Sequence, residues 1–449
     1  TLKLGFDVIR RRTNAYQAQW NRGQFSFSTN YTANPASRPN TGFGAADLLL
    51  GKPASILLNG LEGTRGLRQT DWGYYFQDDW KLMRKLTLNL GLRYEYYQGY
   101  PQYEVRDRMM QFDVASGQPV QINSGKYPWR AGIPPDRNNL APRVGLALQI
   151  NDATVVRAAF GVYYVATTIA IAHTLSSNPP YFLNSTVSND EGNFAGARAL
   201  TDGPLRTAER GAPGQNYRGI SLDFGNPYVQ QWNLALQRRL PLGHQLTMAY
   251  VGTKGTGVIS QQDINQARPG DGAVAARRRW PERGSILIRQ NLSHLVYHGL
   301  QATVVRRFAN GLQYQAAYTW SHVIDNEDKG GEGAMGPIPF DQYWRLRSNG
   351  DTDLRLMMRV TFGYELPVGR GKSHLASANK VVNGLVGGWE VNGVLSLSAG
   401  TPLSAGAGSN SLNNGSGTYA DRLRNGNLPV GQRSVDRWFD IDAFAIPGF

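Results

Sequence analysis

Residues 70–97, TDWGYYFQDDWKLMRKLTLNLGLRYEYY, leave few folds open. Leu86, Leu88, Leu90, Leu92, Tyr94 and Tyr96 alternate with Thr87, Asn89, Gly91, Arg93 and Glu95. Successive side chains of a strand point to opposite faces, so this spacing predicts a strand with one unbroken apolar face and one polar face. Just upstream, Trp72, Tyr74, Phe76 and Trp80 share a face opposite Asp71, Gly73, Gln77 and Asp79, and a tight turn joins the two strands. Strands of soluble sandwiches are shorter, about five or six residues. About ten alternating residues with aromatics at the ends is what a tilted strand needs to cross a bilayer.

The unit recurs along the chain. Leu2, Leu4, Phe6 and Val8 alternate with Lys3, Gly5 and Asp7. Val144, Leu146 and Leu148 lead through Asn151-Asp152 to Val156, Ala158, Phe160, Val162 and Tyr164. Trp232, Leu234 and Leu236 lead through Pro241-Leu242-Gly243 to Leu246, Met248 and Tyr250. Leu300, Ala302 and Val304 lead through Ala309-Asn310-Gly311, a strong hairpin signal, to Leu312, Tyr314, Ala316, Tyr318 and Trp320. Even residues from Leu354 to Leu366, and then Trp389, Val391, Leu395 and Leu397, complete the series. Alternation gives about eleven strands. Short turns take turns with long loops, at about 14–66, 98–138, 166–224, 258–294, 326–350 and 402–449. That segregation predicts an antiparallel transmembrane β-barrel with long extracellular loops. Arg93, Arg143, Arg157, Arg355 and Arg359 fall on the expected lumen face. On the lipid face each would cost about 2–4 kcal/mol near the midplane.

Composition fits. Hydrophobic residues make up 41% of 449, and mean hydropathy is -0.41, too polar for a helical membrane protein. A barrel is exempt from that test because only alternate residues meet lipid. The 22 Tyr and 10 Trp suit membrane interfaces. The absence of cysteine excludes disulfides and thiolate metal sites. The run Ala158–Ala172 is too short for a transmembrane helix, which needs about 20 apolar residues. A net charge of +14 points to nucleic acid, an anionic membrane surface or an anionic ligand, or to a solvated basic exterior.

The wording of several strands goes further. YYFQDDWKLMRKLTLNLGLRYEY, NNLAPRVGLAL, NPYVQQWNLALQRRL, AYVGTKGTG and FANGLQYQAAYTWSHVID resemble TonB-dependent outer-membrane receptors. The branch they resemble is the Oar-like one, which carries a carboxypeptidase-regulatory-like N-terminal domain. The resemblance implies a barrel of about 22 strands around a plug. It also implies energised uptake across the outer membrane of a Gram-negative bacterium. The implied partners are outer-membrane lipid and lipopolysaccharide, the TonB complex through the plug, and a small ligand, glycan or peptide. Nucleic acid is not an expected partner. On this reading the chain is an internal barrel portion, with plug, leader and closing C-terminal strands lying outside it. The alternatives are a surface structural or adhesive barrel, a passive porin and a soluble β-rich enzyme.

Motifs for chemistry are weak, and no catalytic residue and no cofactor is expected. Val368–Ser373, VGRGKS, ends like a phosphate loop, but Leu366 stands where that loop needs glycine. His294 and His298 have metalloprotease spacing, but Leu295 replaces the catalytic Glu and the context is a strand. Asp325–Gly333, DNEDKGGEG, has Lys329 at the fifth position of an EF-hand pattern, which leaves only a weak Ca²⁺ alternative. The densest basic cluster, Arg277, Arg278, Arg279 and Trp280, is the candidate ligand-binding group, suited to phosphates or another anion. It is expected on a long loop, far from the short turns.

Overall fold

The structure is a computed structural model describing residues 1–16, 20–61, 63–166, 169–189, 192–204, 214–326, 340–407, 411–415 and 419–448. Among the described residues eleven strands run in chain order as antiparallel neighbours. They are β1 (Leu2–Ala15), β2 (Arg65–Met83), β3 (Leu86–Glu104), β4 (Leu140–Asn151), β5 (Thr154–Tyr164), β6 (Tyr228–Arg239), β7 (His244–Asp263), β8 (Arg283–Ala309), β9 (Leu312–Asp325), β10 (Leu356–Glu365) and β11 (Glu390–Ser398). Each pairs with its neighbours in sequence order. Among the described residues β1 and β11, at the two ends of the path, are not paired with each other.

Register fixes the faces, because residues directly opposite across an antiparallel pair lie on the same side. Val8, Trp72 and Tyr96 are in line, as are Phe6, Tyr74, Tyr94 and Leu140, and Leu4, Phe76 and Leu92. The even set continues through Phe160, Trp232, Met248, Leu300 and Trp320 to Leu356, Met358, Val360 and Phe362. Leu4, Phe6, Phe76, Leu92 and Leu356 are exposed, as a lipid-facing surface requires. Asp78 is an exception: it sits on this face between Phe76 and Trp80, toward the short-turn end. Trp80 and Trp72 are eight residues apart, about 20 Å in height for a strand rising about 3.3 Å per residue at a tilt near 40°. They therefore mark the two edges of one apolar band. At the upper edge the Trp232 indole lies over Gly252, where any Cβ would sit 2.2 Å from it.

The short turns have local causes. Asn310 and Gly311 both take positive φ, 53° and 78°, as a type I′ hairpin requires. Leu366–Trp389 is longer and holds the short helix Lys380–Val386. VGRGKS lies in this connection as a turn, with Lys372 paired to Glu365 at 2.9 Å. The helix begins only seven residues after Ser373, so the motif does not cradle a helix N-terminus.

Several strands overrun the membrane. β2 and β3 have 19 residues each, β7 has 20 and β8 has 27. About ten suffice to span, so their upper halves stand above the band. Much of 258–294, expected to be loop, is therefore strand. Two register shifts, at Gly255/Val258 and Val258/Ser260, break the alternation that would have revealed it. The run 158–172 divides between β5 and the helix Ile169–Ser176, and among the described residues no helix is long and apolar enough to cross a membrane.

The loops pack into a cap on these tall strands. It contains the hairpin Met110–Asp113/Gln118–Gln121, the helix Ile169–Ser176 and the strand Gln215–Ile220, which runs parallel to the top of β8. Its first hydrophobic cluster includes Tyr97, Tyr100, Met109, Ile122, Tyr127, Leu175 and Phe224. A second holds Phe112, Tyr217, Ile286 and Ile288, with Ile264 and Trp280 against it.

Candidate functional site

Inside the wall, the odd residues of β1, β2 and β3 form a ladder of polar contacts. At the turn end Lys3 pairs with Asp79 at 3.2 Å, and Asn89 and Gln77 donate to the same carboxylate. Midway, Arg93 spans Asp7 at 2.9 Å and Glu95 at 2.6 Å. Nearer the cap, the Tyr97 hydroxyl donates to Glu95 at 2.8 Å, and Arg11 pairs with Asp71 at 2.6 Å. Side chains two apart on a strand share a face, and the register of β1, β2 and β3 brings the charges of those faces into contact. Register also places Arg143, Arg157 and Arg359 inward. Arg355 differs from expectation. β10 starts only at Leu356, and a turn at Asp353 diverts the preceding chain. The Arg355 guanidinium bonds Asp353 at 2.8 Å and His322 at 3.2 Å. His322 sits opposite His298 on the outward face, above the apolar band, where a charge reaches water.

His294 and His298 share a strand at about 13 Å along its axis, too far for one ion held near 2 Å by each. His298 instead bonds the Tyr250 hydroxyl at 2.7 Å. Among the described residues no group of three or more His, Asp or Glu is arranged for a metal. Of the Asp325–Gly333 loop, residues 327–333 lie outside the described residues.

The cap buries charge with partners. Glu104 is fully buried and takes Arg108 at 2.9 Å plus the N–H groups of Gly66, Arg106 and Arg108. Burial alone would raise its pKa, but these donors outweigh it and hold the carboxyl down to about 2. Asp113 behaves alike: burial opposes ionisation, and Lys126, Ser116 and Tyr127 more than offset it. Arg283 donates to the Tyr217 hydroxyl at 2.6 Å and to Gln118 at 2.9 Å. Arg218 stands apart. Asn178 clamps its backbone N–H and C=O, at 2.8 and 2.6 Å, on the strand beside β8. Its half-buried guanidinium has no partner among the described residues, and burial lowers its pKa. Sequence reasoning missed these groups because the cap segments carry no period; clustered aromatics such as Tyr97, Tyr100 and Tyr127 were the one available signal.

The basic cluster lies at the loop end, between β7 and β8, away from the short turns. Its members do different work. Arg277 donates to the Arg268 and Asn413 carbonyls, and Arg278 to the Arg283 carbonyl at 3.0 Å. Trp280 packs edge-on against Phe112, centroids 5.5 Å apart. Arg279 lies over the Trp280 ring at 4.3 Å and is the exposed member.

A family model described as an outer membrane beta barrel domain matches residues 1–449. No curated protein matches the chain. Similar solved structures include the outer membrane transporter YddB from Escherichia coli, 13% identical with TM-score 0.44 over 80% of this chain and 36% of that one. The FrpB iron transporter from Neisseria meningitidis is 12% identical, TM-score 0.39, over 81% and 38%. The pyoverdine outer membrane receptor FpvA from Pseudomonas aeruginosa is 11% identical, TM-score 0.36, over 68% and 30%. The chain thus spans well under half the length of each. With its lipid-facing band, polar inner ladder and full-length family match, the chain belongs to the outer membrane beta-barrel domain family and is an outer-membrane protein.

Proposed function

We propose that this chain is the wall and loop cap of a TonB-dependent receptor of the Oar-like branch, taking up an anionic small ligand, glycan or peptide. The observation that carries the reading is the ion-paired ladder from Lys3–Asp79 to Arg11–Asp71, which gives the wall a charged inner path beneath the cap. Among the described residues Arg218 is a cap guanidinium left to an anion and Arg279 on Trp280 an exposed contact, with Arg277 and Arg278 bracing the loop. The plug and TonB supply opening and energy, and no bond is made or broken. Among the described residues the eleven-strand path leaves edges at β1 and β11, and unpaired backbone in lipid costs several kcal/mol per group, so closure takes further strands. The test is uptake by cells of ligands captured on the purified protein and identified by mass spectrometry. Uptake that stops when the proton gradient collapses supports the receptor; gradient-independent flux means a porin. A cap with its own two hydrophobic clusters favours one other reading, an adhesive surface protein. Binding to surfaces without any uptake would establish that instead.

A further inference from the structure

At the short-turn end of the inner face, Arg307, Gln313, Gln315, Thr361, Gly363 and Asn392 line a cleft of about 460 Å³. Register builds it: Gln315 faces Thr361, Gln313 faces Gly363, and Gly363 faces Asn392 across β9, β10 and β11. These positions alternate with the outward Tyr314 and Phe362, so they belong to the inner side of the wall. Gly363 is the floor. A Cβ there would lie 2.7 Å from Asn392 Oδ1, 3.0 Å from Gln313 Nε2 and 3.2 Å from Glu390 Oε1. Two acceptors and a donor thus converge over one bare glycine, and Arg307 adds a cation to the same cleft. Among the described residues Arg307 and Glu390 form no ion pair, and the polar side chains of the cleft have no hydrogen-bond partner. Their charged neighbours are spent. Lys372 takes Glu365 at 2.9 Å, and Arg306 donates to the Ala309 carbonyl at 3.1 Å.

We propose that this cleft binds the peptide stems of peptidoglycan, gripping the diamino acid whose free end carries an ammonium and a carboxylate on one carbon. The pairing of groups selects that end. Glu390 and the Asn392 oxygen accept from the ammonium, while Arg307 and the Gln313 amide donate to the carboxylate, each a charge-assisted contact. A plain anion would meet Glu390, and a plain cation Arg307. Phospholipid headgroups lie outside the wall, beyond Tyr314 and Phe362. Gln313 is two residues from the Asn310-Gly311 turn, so the cleft opens at the periplasmic mouth, where the cell wall lies. Turns this short let a flat mesh reach the rim. Arg84-Lys85 and Arg238-Arg239 stand exposed at two other turns of the same end, facing the remaining stem carboxylates, while the turn between β4 and β5 carries Asp152. Several weak contacts to one polymer reinforce each other. The site belongs to the wall and does not depend on the uptake reading.

The experiment is cosedimentation of the protein, purified from outer membranes, with peptidoglycan sacculi that are either intact or stripped of their stems by an amidase. Intact sacculi are expected to carry down at least about tenfold more protein, the size of one charge-assisted contact. The free stem tripeptide ending in the diamino acid should compete, and the same tripeptide amidated at that end should compete about tenfold less well. Arg307→Ala and Glu390→Gln should each weaken tripeptide binding about tenfold. Gly363→Val, which fills the hollow and leaves every charge in place, should abolish it, and keeps the test if the Arg307 variant folds poorly. Equal sedimentation with stripped sacculi, or tripeptide binding unchanged in Arg307→Ala and Gly363→Val, overturns the proposal. Competition by free alanine as strong as by the tripeptide also overturns it, since the cleft would then serve a free amino acid.

Discussion

The wall and the cap are built on opposite rules. The wall holds its shape by backbone pairing between neighbours in sequence and leaves its large apolar side chains exposed: Leu4 is 74% accessible and Phe6 72%. The cap joins segments far apart in sequence and hides its apolar groups; Met109, Leu175 and Ile286 are fully buried. The wall trades water for lipid on one face, so a period of two is enough to specify it. The cap stays in water and must assemble a core, with buried charges satisfied one by one.

If the two regions are separable, substitutions should act on one at a time. The largest effect is expected from Phe112→Ala. It empties a site 2% exposed between Tyr217 and Trp280, and should cost the cap about 3–5 kcal/mol. Protection against hydrogen exchange should fall across 105–139 and 214–224 while it stays unchanged across the wall strands at 86–96 and 312–320. Simultaneous loss of both would merge the two regions into one cooperative unit.

Next is the sidedness of the wall. Leu92→Arg puts a charge on the lipid face midway between Trp72 and Trp80 and should cost about 2–4 kcal/mol in unfolding from lipid. Asn89→Arg points inward beside Asp79, which already takes a 2.6 Å hydrogen bond from Asn89, and should cost far less. Equal costs would mean the assigned faces are wrong.

A smaller, pH-dependent effect follows from Glu104. Its folded pKa is depressed from 4.5 to about 2, so its contribution is fully present above the ordinary value. It is lost as pH falls from about 4.5 toward 2, as protonation releases Arg108 and three N–H groups. Glu104→Gln should weaken the cap by about 2 kcal/mol near neutrality and remove that acid dependence, read by proteolysis of 105–139. A cap equally acid-labile in the variant would assign the transition to other carboxylates. The smallest effect is expected from Arg279→Ala: slightly weaker, less salt-sensitive attachment to anionic vesicles, with no change in cap protection. Arg277→Ala should instead loosen the loop it braces, raising its exchange rate.

What the sequence conveyed follows the same division. The faces of Leu86–Tyr96 and the hairpin at Asn310-Gly311 were readable because a strand's alternation and a turn's φ demands are local. Arg355 was misplaced because a two-residue period says nothing about where a strand ends. Trp280 was grouped with its arginines, yet its ring belongs to the core of Phe112 and Tyr217. Nothing near Trp280 in sequence points to residues some 60 and 170 positions away.

The sequence by itself thus determined a membrane-spanning antiparallel wall: its strands, its order and the chemistry of its two faces. Tertiary structure alone decided how far β7 and β8 rise above the membrane, which charges the cap buries, and that the Trp280 ring packs against Phe112. The physical reason is range. Alternation and turn geometry act between neighbours, whereas burial and ion pairing are set by whatever distant segment the fold brings into contact.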